Sequence, residues 1–448
     1  MTDVAAPQPE ANPPPQPRRQ IASFLASDNL LARASVLGLL TLVLLIPLNM
    51  IGGVISDRRT YEADAAKSVS EAWGGPQIFA GPTIVLPYRR AGEQAVSVLT
   101  VLPETLTIDG RIVPEQRRRG LFAVNVYSAS LDVVAEFQIS ELRAMAAEGR
   151  LIDWSAARLE VGLSDVRSIE GTTVEVDGQK IDWTPGRSGS ALSSLRASLG
   201  AQALTGRDTV SVHFSLTVAG SGKLGLVPLG RRTEATLSAP WPAPSFTGRL
   251  PLSTVSKDGF RARWSMSHLG RPFGQLWDSA SLRNEPSTTT VLESAFGVTL
   301  LTPVDAYRET DRAIKYGIMF IGLTFVACLL FEMATGTRPH VAQYGLIGLA
   351  LCVFYLLLLS VAEQVGFALA YVASASAVVA QATLYNWALR RRAAPALAFG
   401  AILAGLYAGL YGLLQLEDVA LLTGSVLLFA VLSVAMWLTR NIHRAQPA

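Results

Sequence analysis

Residues 34–55, ASVLGLLTLVLLIPLNMIGGVI, run through 22 positions without a charged side chain. A hydrocarbon core ~30 Å thick takes about 20 helical residues, so this stretch reads as a membrane-crossing helix. It is too long for a cleaved leader and shows no convincing cleavage site, so it reads as a retained anchor. Pro47 is compatible with that helix, because neighbouring groups satisfy the carbonyl it frees. From residue 314 the chain is apolar again, with further spans expected near 314–334, 341–361, 366–387, 393–414 and 419–438. The predicted fold class is a polytopic α-helical membrane protein with a large β-rich (α+β) domain outside the bilayer. One N-terminal transmembrane helix precedes that domain and five follow it.

Composition agrees. Half of the residues are hydrophobic and 16% are charged, too apolar for an ordinary soluble enzyme. A net charge of +3 implies no nucleic-acid partner. Cys328 and Cys352 both lie in apolar runs, so an exported domain has no disulfide framework.

Residues 1–20 hold six prolines and end near Arg18 and Arg19, and residues 1–33 read as a disordered, proline-rich tail. A second short tail is expected at 439–448. Between the membrane regions, residues 56–312 look like a soluble domain. It opens with DRRTYEADAAKSVSEAW, a helical pattern that Gly74, Gly75 and Pro76 stop. Strand signals follow. LTIDGRIV and VEVDGQKIDW each place Asp-Gly between β-prone runs, a hairpin signature. TVSVHFSLTVAG alternates at period two, and EGRLIDWSAARLE allows one short helix. The stretch 185–208, rich in Gly, Ser and Ala, is predicted to be a loop. It would lie within one β-rich domain or between two lobes.

Basic residues near span ends set orientation. With the N-terminus inside, the inner segments hold Arg18, Arg19, Arg33, Arg338, Arg390, Arg391, Arg392, Arg440 and Arg444. The two short outer loops hold no Lys or Arg, but Glu363, Glu417 and Asp418. Trp387 and Trp437 precede the inner Arg clusters, as an interfacial belt would. Both termini are therefore expected in the cytoplasm.

Four residues are candidates for function. Glu332 lies about one turn from the inner end of its span, either reaching to the interface or working inside the bundle. His340 starts the next span at the same depth, and a Glu332–His340 contact is geometrically allowed. Glu363 reads as a carboxylate in a tight outer turn with Gly366, or as one held at the mouth of the bundle. Asp418 precedes the last span and suits a helix N-cap. No G-x-S-x-G, Walker, H-E-x-x-H or S-x-x-K pattern is present. His213 and His268, with no Cys in the outer domain, give no metal site. The expectation is a non-enzyme with no cofactor.

Several words in order resemble the CreD family of inner-membrane proteins, known as cell envelope integrity or colicin-tolerance proteins. They include EAWGGPQIFAGPTIVLPY (71–88), PEQRRRGLFAVNVYSASL (114–131), APWPAPSFTGRLP (239–251), DGFRARWSMSHLGR (258–271) and HVAQYGLIGLALCVFYLLLLSVAEQVGFALAY. The resemblance covers about 57–440 and implies a multi-pass protein of the Gram-negative inner membrane with a periplasmic domain. It also implies association with envelope stress, β-lactam response and control by a sensor kinase and response regulator. It carries no catalytic residues across. Where the family often has Glu-His in the outer turn, this chain reads Glu363-Gln364. The resemblance implies no molecular activity, and the role expected here is a scaffold or sensor acting through the periplasmic domain. Its expected partners are the lipid bilayer and periplasmic or envelope proteins or glycans. A proton-coupled or small-molecule transporter using the bundle carboxylates is the alternative. The RRRG cluster at 117–120 reads either as a solvated charge run or as a contact for anionic lipid or glycan.

Overall fold

The structure, a computed structural model, describes residues 30–147, 149–186, 192–281, 285–300, 306–335 and 340–416, with isolated positions between 422 and 436. The first helix, α1, is Leu30–Trp73, 44 residues long with Pro47 inside it. At ~1.5 Å per residue it is about 66 Å long, roughly twice a hydrocarbon core. Its composition changes accordingly, from uncharged before Asp57 to DRRTYEADAAKSVSE after it. Leu37, Leu44, Leu48, Ile51 and Ile55 are buried, a stripe at helical spacing. Leu39, Leu42, Val43, Ile46 and Met50 on the other faces are at least 50% exposed, the arrangement of a helix bathed in lipid on one side.

Residues 305–448 and 1–60 form one compact unit and residues 61–304 another. In the first, α2 (Ala306–Lys315) and α3 (Gly317–Thr335) follow one another with a 50° bend between them. α2 is polar, AYRETDRAIK, so the apolar course expected from residue 314 is preceded by a charged helix of its own. Then come α4 (Val341–Val365), α5 (Phe367–Arg390) and α6 (Ala393–Gln415). Gly366, at φ +82, is the single residue between α4 and α5. Glycines let α1 pack closely: a Cβ at Gly317 would meet Leu48 Cδ2 at 2.8 Å, and Gly348 sits under Leu44. An aromatic cluster fills the bundle, with Tyr407 ring-to-ring at 4.7 Å from both Phe320 and Phe354. Tyr371 donates to the Tyr407 carbonyl at 2.7 Å. Among the described residues four helices are long and apolar enough to cross a membrane, or five if the bent pair is one span. The run expected at 419–438 lies almost wholly outside the described residues, as do both predicted tails apart from Leu30–Arg33.

The second unit is built on two sheets. The eight-stranded sheet runs, edge to edge, Leu252–Ser256, Gly259–Ser267, Arg232–Ala239, Thr105–Arg119, Phe122–Gln138, Thr209–Ser221, Ile169–Val176 and Gln179–Ile181. The ten-stranded sheet has the spine Pro244–Thr247, Phe296–Leu300, Lys223–Leu226, Gln77–Arg90, Arg158–Leu163, Ser193–Ser198 and Thr184–Gly186. Ser97–Val101 and Arg150–Ile152 pair with Gln77–Arg90, and Leu276–Asp278 pairs in turn with Ser97–Val101. The strand at Thr209–Ser221 alternates as its sequence does, with Val210, Val212, Phe214, Leu216 and Val218 each at most 1% exposed. Aromatic rings join the two sheets: Phe214 to Phe79 at 6.2 Å, and Trp264 to Phe296 at 5.3 Å. Tyr127 spans the same layer, donating to the Lys223 carbonyl at 2.7 Å, and burial pushes its phenol well above the usual range. One continuous core results, not two lobes.

The two Asp-Gly pairs part company. Asp177-Gly178 makes the expected hairpin, both residues at positive φ (48° and 80°) between paired strands. Asp109-Gly110 lies within the long strand Thr105–Arg119 instead, paired with Asp132 and Leu131. Gly110 is required there for room: a Cβ would press on Leu237 and come within 3.0 Å of Leu131 Cδ2. The short helix expected in EGRLIDWSAARLE is a single 3₁₀ turn, Trp154–Ala156, between two strands. The predicted loop 185–208 contains a strand, Ser193–Ser198, and a short helix, Gly200–Leu204.

Phe214→Ala is expected to lower the stability of this unit by about 3–5 kcal/mol. Thr209→Ala, on the exposed face of the same strand, should change it by less than about 0.5 kcal/mol. Denaturant unfolding followed by near-ultraviolet circular dichroism measures both.

Candidate functional site

An ionised side chain in a helical bundle needs a partner, because hydrocarbon supplies none. Glu332 turns inward on α3 and is 6% exposed. One carboxylate oxygen pairs with the Arg33 guanidinium of α1, and the other accepts from the Tyr344 hydroxyl of α4. Three helices thus meet at one carboxylate. Arg390, at the end of α5, lies over the Phe331 ring at 5.1 Å and donates to Thr335 Oγ1 at 3.2 Å. Beside this group a cavity of about 30 Å³ is lined by Cys328, Gln343, Tyr344, Asn386 and Arg390, among others. That volume holds about two waters.

Glu332 and His340 are not brought together. His340 is the N-cap of α4: its Nδ1 accepts from the Ala342 N–H at 3.3 Å, and Gln343 returns a bond to the His340 N–H at 3.1 Å. This reciprocal cap satisfies two free backbone donors. His340 therefore has a structural duty in its own helix.

Glu363, near the C-terminal end of α4, is drawn in rather than left in a solvated turn. It accepts from the Tyr307 hydroxyl at 3.0 Å and lies 3.5 Å from Arg58 Nε, with its side chain 10% exposed. Arg59 and Lys315 both pair with Asp311, at 3.7 and 2.9 Å. Asp418 lies outside the described residues.

The β-rich unit has a groove on the face of its ten-stranded sheet, with a volume of about 300 Å³. Its floor includes Thr83 and Val85 of the strand Gln77–Arg90, Glu160 and Gly162 of Arg158–Leu163, and Ser194 of Ser193–Ser198. Leu229, Trp277 and the short helix Thr288–Glu293 complete the lining. Arg271 braces one side. It is buried and donates to the Pro228 carbonyl at 3.0 Å, and to Leu229 O and Gln275 Oε1. Burial, and then the nearby Arg231, push its guanidinium down to about 10, so it stays charged at neutral pH. Nothing in the sequence patterns marks this groove, because its residues come from segments more than 200 positions apart.

On the eight-stranded sheet, His213 Nε2 lies 2.7 Å from Asp132, both exposed, while Ser215 bonds to Thr173 at 2.8 Å. Among the described residues no group of three or more His, Cys, Asp or Glu side chains is placed to hold a metal.

Removing one partner of the buried group should be costly. Glu332→Gln and Arg33→Gln are each expected to destabilise the bundle by about 1–3 kcal/mol. The double variant should fall short of their sum, a coupling of about 0.5–3 kcal/mol. Thermal unfolding of the protein in lipid nanodiscs reads this cycle.

The CreD family model, described as inner membrane protein CreD, matches residues 29–444. Inner membrane protein CreD of Escherichia coli (strain K12) is 33% identical over 424 residues, covering 90% of this chain and 90% of that protein. A match along that length takes in the apolar helices, both sheets and the carboxylates described above, and the chain belongs to the CreD family of inner membrane proteins.

Proposed function

We propose that this protein is a scaffold or sensor of the cell envelope and not an enzyme. In this reading its β-rich domain lies in the periplasm and binds an envelope component, within a response to envelope and β-lactam stress. Nine basic residues on the inner segments against none in the short outer loops support cytoplasmic termini and a periplasmic domain.

The observation that carries the binding role is the contrast in open space. The groove on the β-rich unit is about 300 Å³, while the cavity described between the helices is about 30 Å³. The first is at the small end of ligand-binding pockets; the second admits little beyond water. The lack of any nucleophile or metal motif fits a binding protein.

A transport reading is favoured by one fact, the burial of Glu332 among three helices, since ionisable groups inside membranes are functional by default. Against it, both Glu332 and Glu363 are held by an arginine and a tyrosine.

Complementation separates the two. In a strain lacking the gene, sensitivity to detergent and β-lactams is measured after restoring wild type, Glu332→Gln, Glu363→Gln, Asp418→Asn or a chain lacking residues 61–304, each at equal membrane abundance. The expected result is full rescue by the three point variants and none by the deletion. Failure of an abundant point variant would establish a working membrane carboxylate and remove the scaffold reading.

A further inference from the structure

The groove on the ten-stranded sheet has a lining that selects among ligand chemistries. Its floor carries Ser194, 2% exposed, whose hydroxyl has no hydrogen-bond partner among the described residues. Buried polar atoms are ordinarily satisfied, so an orphan hydroxyl at the floor of a groove points to a group supplied from outside. Ser194 stands in register between Gly162 on one neighbouring strand and Gly186 on the other. Neither of its two paired residues has a side chain to offer its oxygen.

Three ligand classes fit poorly. An apolar ligand would strand the hydroxyls of Ser194, Thr100 and Thr288 in the lining. An anion would meet Glu160 and Glu285, with no Lys, Arg or His among the described lining residues. Arg158 and Arg196 stand nearby but are spent on Glu160, each at 2.7 Å. An extended peptide adds to an open strand edge. The floor strands Arg158–Leu163 and Ser193–Ser198 are each paired on both sides.

What remains is a neutral ligand with hydroxyls on its rim and an apolar face. Trp277 provides the platform for that face: its indole N–H is already given to the Gly274 carbonyl at 3.1 Å, so its ring is what the groove receives. Glu285 is exposed at the rim and accepts hydroxyl hydrogens. A pyranose ring presents C–H groups to an aromatic face and hydroxyls around its edge, which matches both features. We infer that this groove binds a saccharide unit of a neutral glycan, stacked on Trp277 and hydrogen-bonded to Ser194 and Glu285. The inference rests on the reading of the β-rich domain as a binding module and gives its ligand class.

The test uses the full chain in phospholipid nanodiscs, free of glycoside detergents that would compete. Chitotetraose and maltotetraose are titrated in separate calorimetric experiments, with indole fluorescence as a second signal. Saturable binding of at least one is expected, weakened about tenfold or more by Trp277→Ala and by Ser194→Ala. Glu285→Gln, a rim change that leaves the core untouched, should weaken it severalfold even if either other variant folds poorly. Leu269→Ser, at a residue 84% exposed and outside the groove lining, should bind as wild type does. No saturable binding of either saccharide, or equal binding by all groove variants, overturns the inference. If that happens while the chain lacking 61–304 still fails to complement, the saccharide assignment falls and the binding-module reading stands.

Discussion

Hydrocarbon gives a charged side chain nothing to bond, so each ionised group of the bundle must bring its partner with it. Two carboxylates do so through the same helix. Arg33 near the start of α1 holds Glu332, and Arg58 holds Glu363. Twenty-five residues separate the two arginines, about 37 Å along the helix at ~1.5 Å per residue. That distance lies between the ~30 Å hydrocarbon core and the full bilayer with its headgroups. Each pair thus stands near one end of the apolar stretch, where a tyrosine from a different helix adds a second bond. The pairs behave as fasteners at the two ends of α1, and between them α1 packs through Leu44 and Leu48 onto Gly348 and Gly317.

The β-rich unit meets the opposite solvent with the opposite device. Water satisfies its outer faces, so its order comes from alternation, one side chain in and the next out. Large rings between the sheets, Phe79 on Phe214 and Trp264 on Phe296, fill the layer. This leaves the outer face of the ten-stranded sheet free to carry groups chosen for something other than packing. Ser194, Thr83 and Glu160 stand on such a face, and the chain then covers them partly with Trp277 and the helix Thr288–Glu293. A sheet whose outer face served only solvation would have no need of that cover.

Much of this was legible in the sequence, and the rest was hidden for identifiable reasons. Apolar length and period-two alternation are local properties, so α1, the bundle helices and the strand at Thr209–Ser221 could be read directly. Asp177-Gly178 and Asp109-Gly110 present the same local signal, yet only the first turns. The second is decided by Leu237 and Leu131 filling the space over Gly110, which no local pattern encodes. Glu332 was visible as an oddity in an apolar run, but Arg33 stands about 300 residues away, and the one contact the local sequence allowed was with His340. Ser194 sits in a Gly-, Ser- and Ala-rich stretch that reads as loop. Its strand is defined by pairing with Arg158–Leu163 and Thr184–Gly186, not by its own weak propensity.

The composition of α1 changes along its length, and its partners change with it. Residues 30–60 belong to the first unit and 61–73 to the second, yet the helix runs through both as one element. An α-helix is held by its ladder of hydrogen bonds from each N–H to the carbonyl four residues before it. Pro47 is the point where that ladder loses a donor, leaving the Val43 carbonyl without its usual bond. Beyond it, toward residue 73, no proline interrupts the helix. Along that intact stretch stand Arg58 and Arg59, both paired to acids of the first unit. Further on, Ser70 bonds to Ser221, and the Trp73 indole N–H donates to the Tyr127 carbonyl. The part of α1 before residue 61 is thus fixed by ion pairs to the bundle helices, and the part after it by side-chain bonds to the strands.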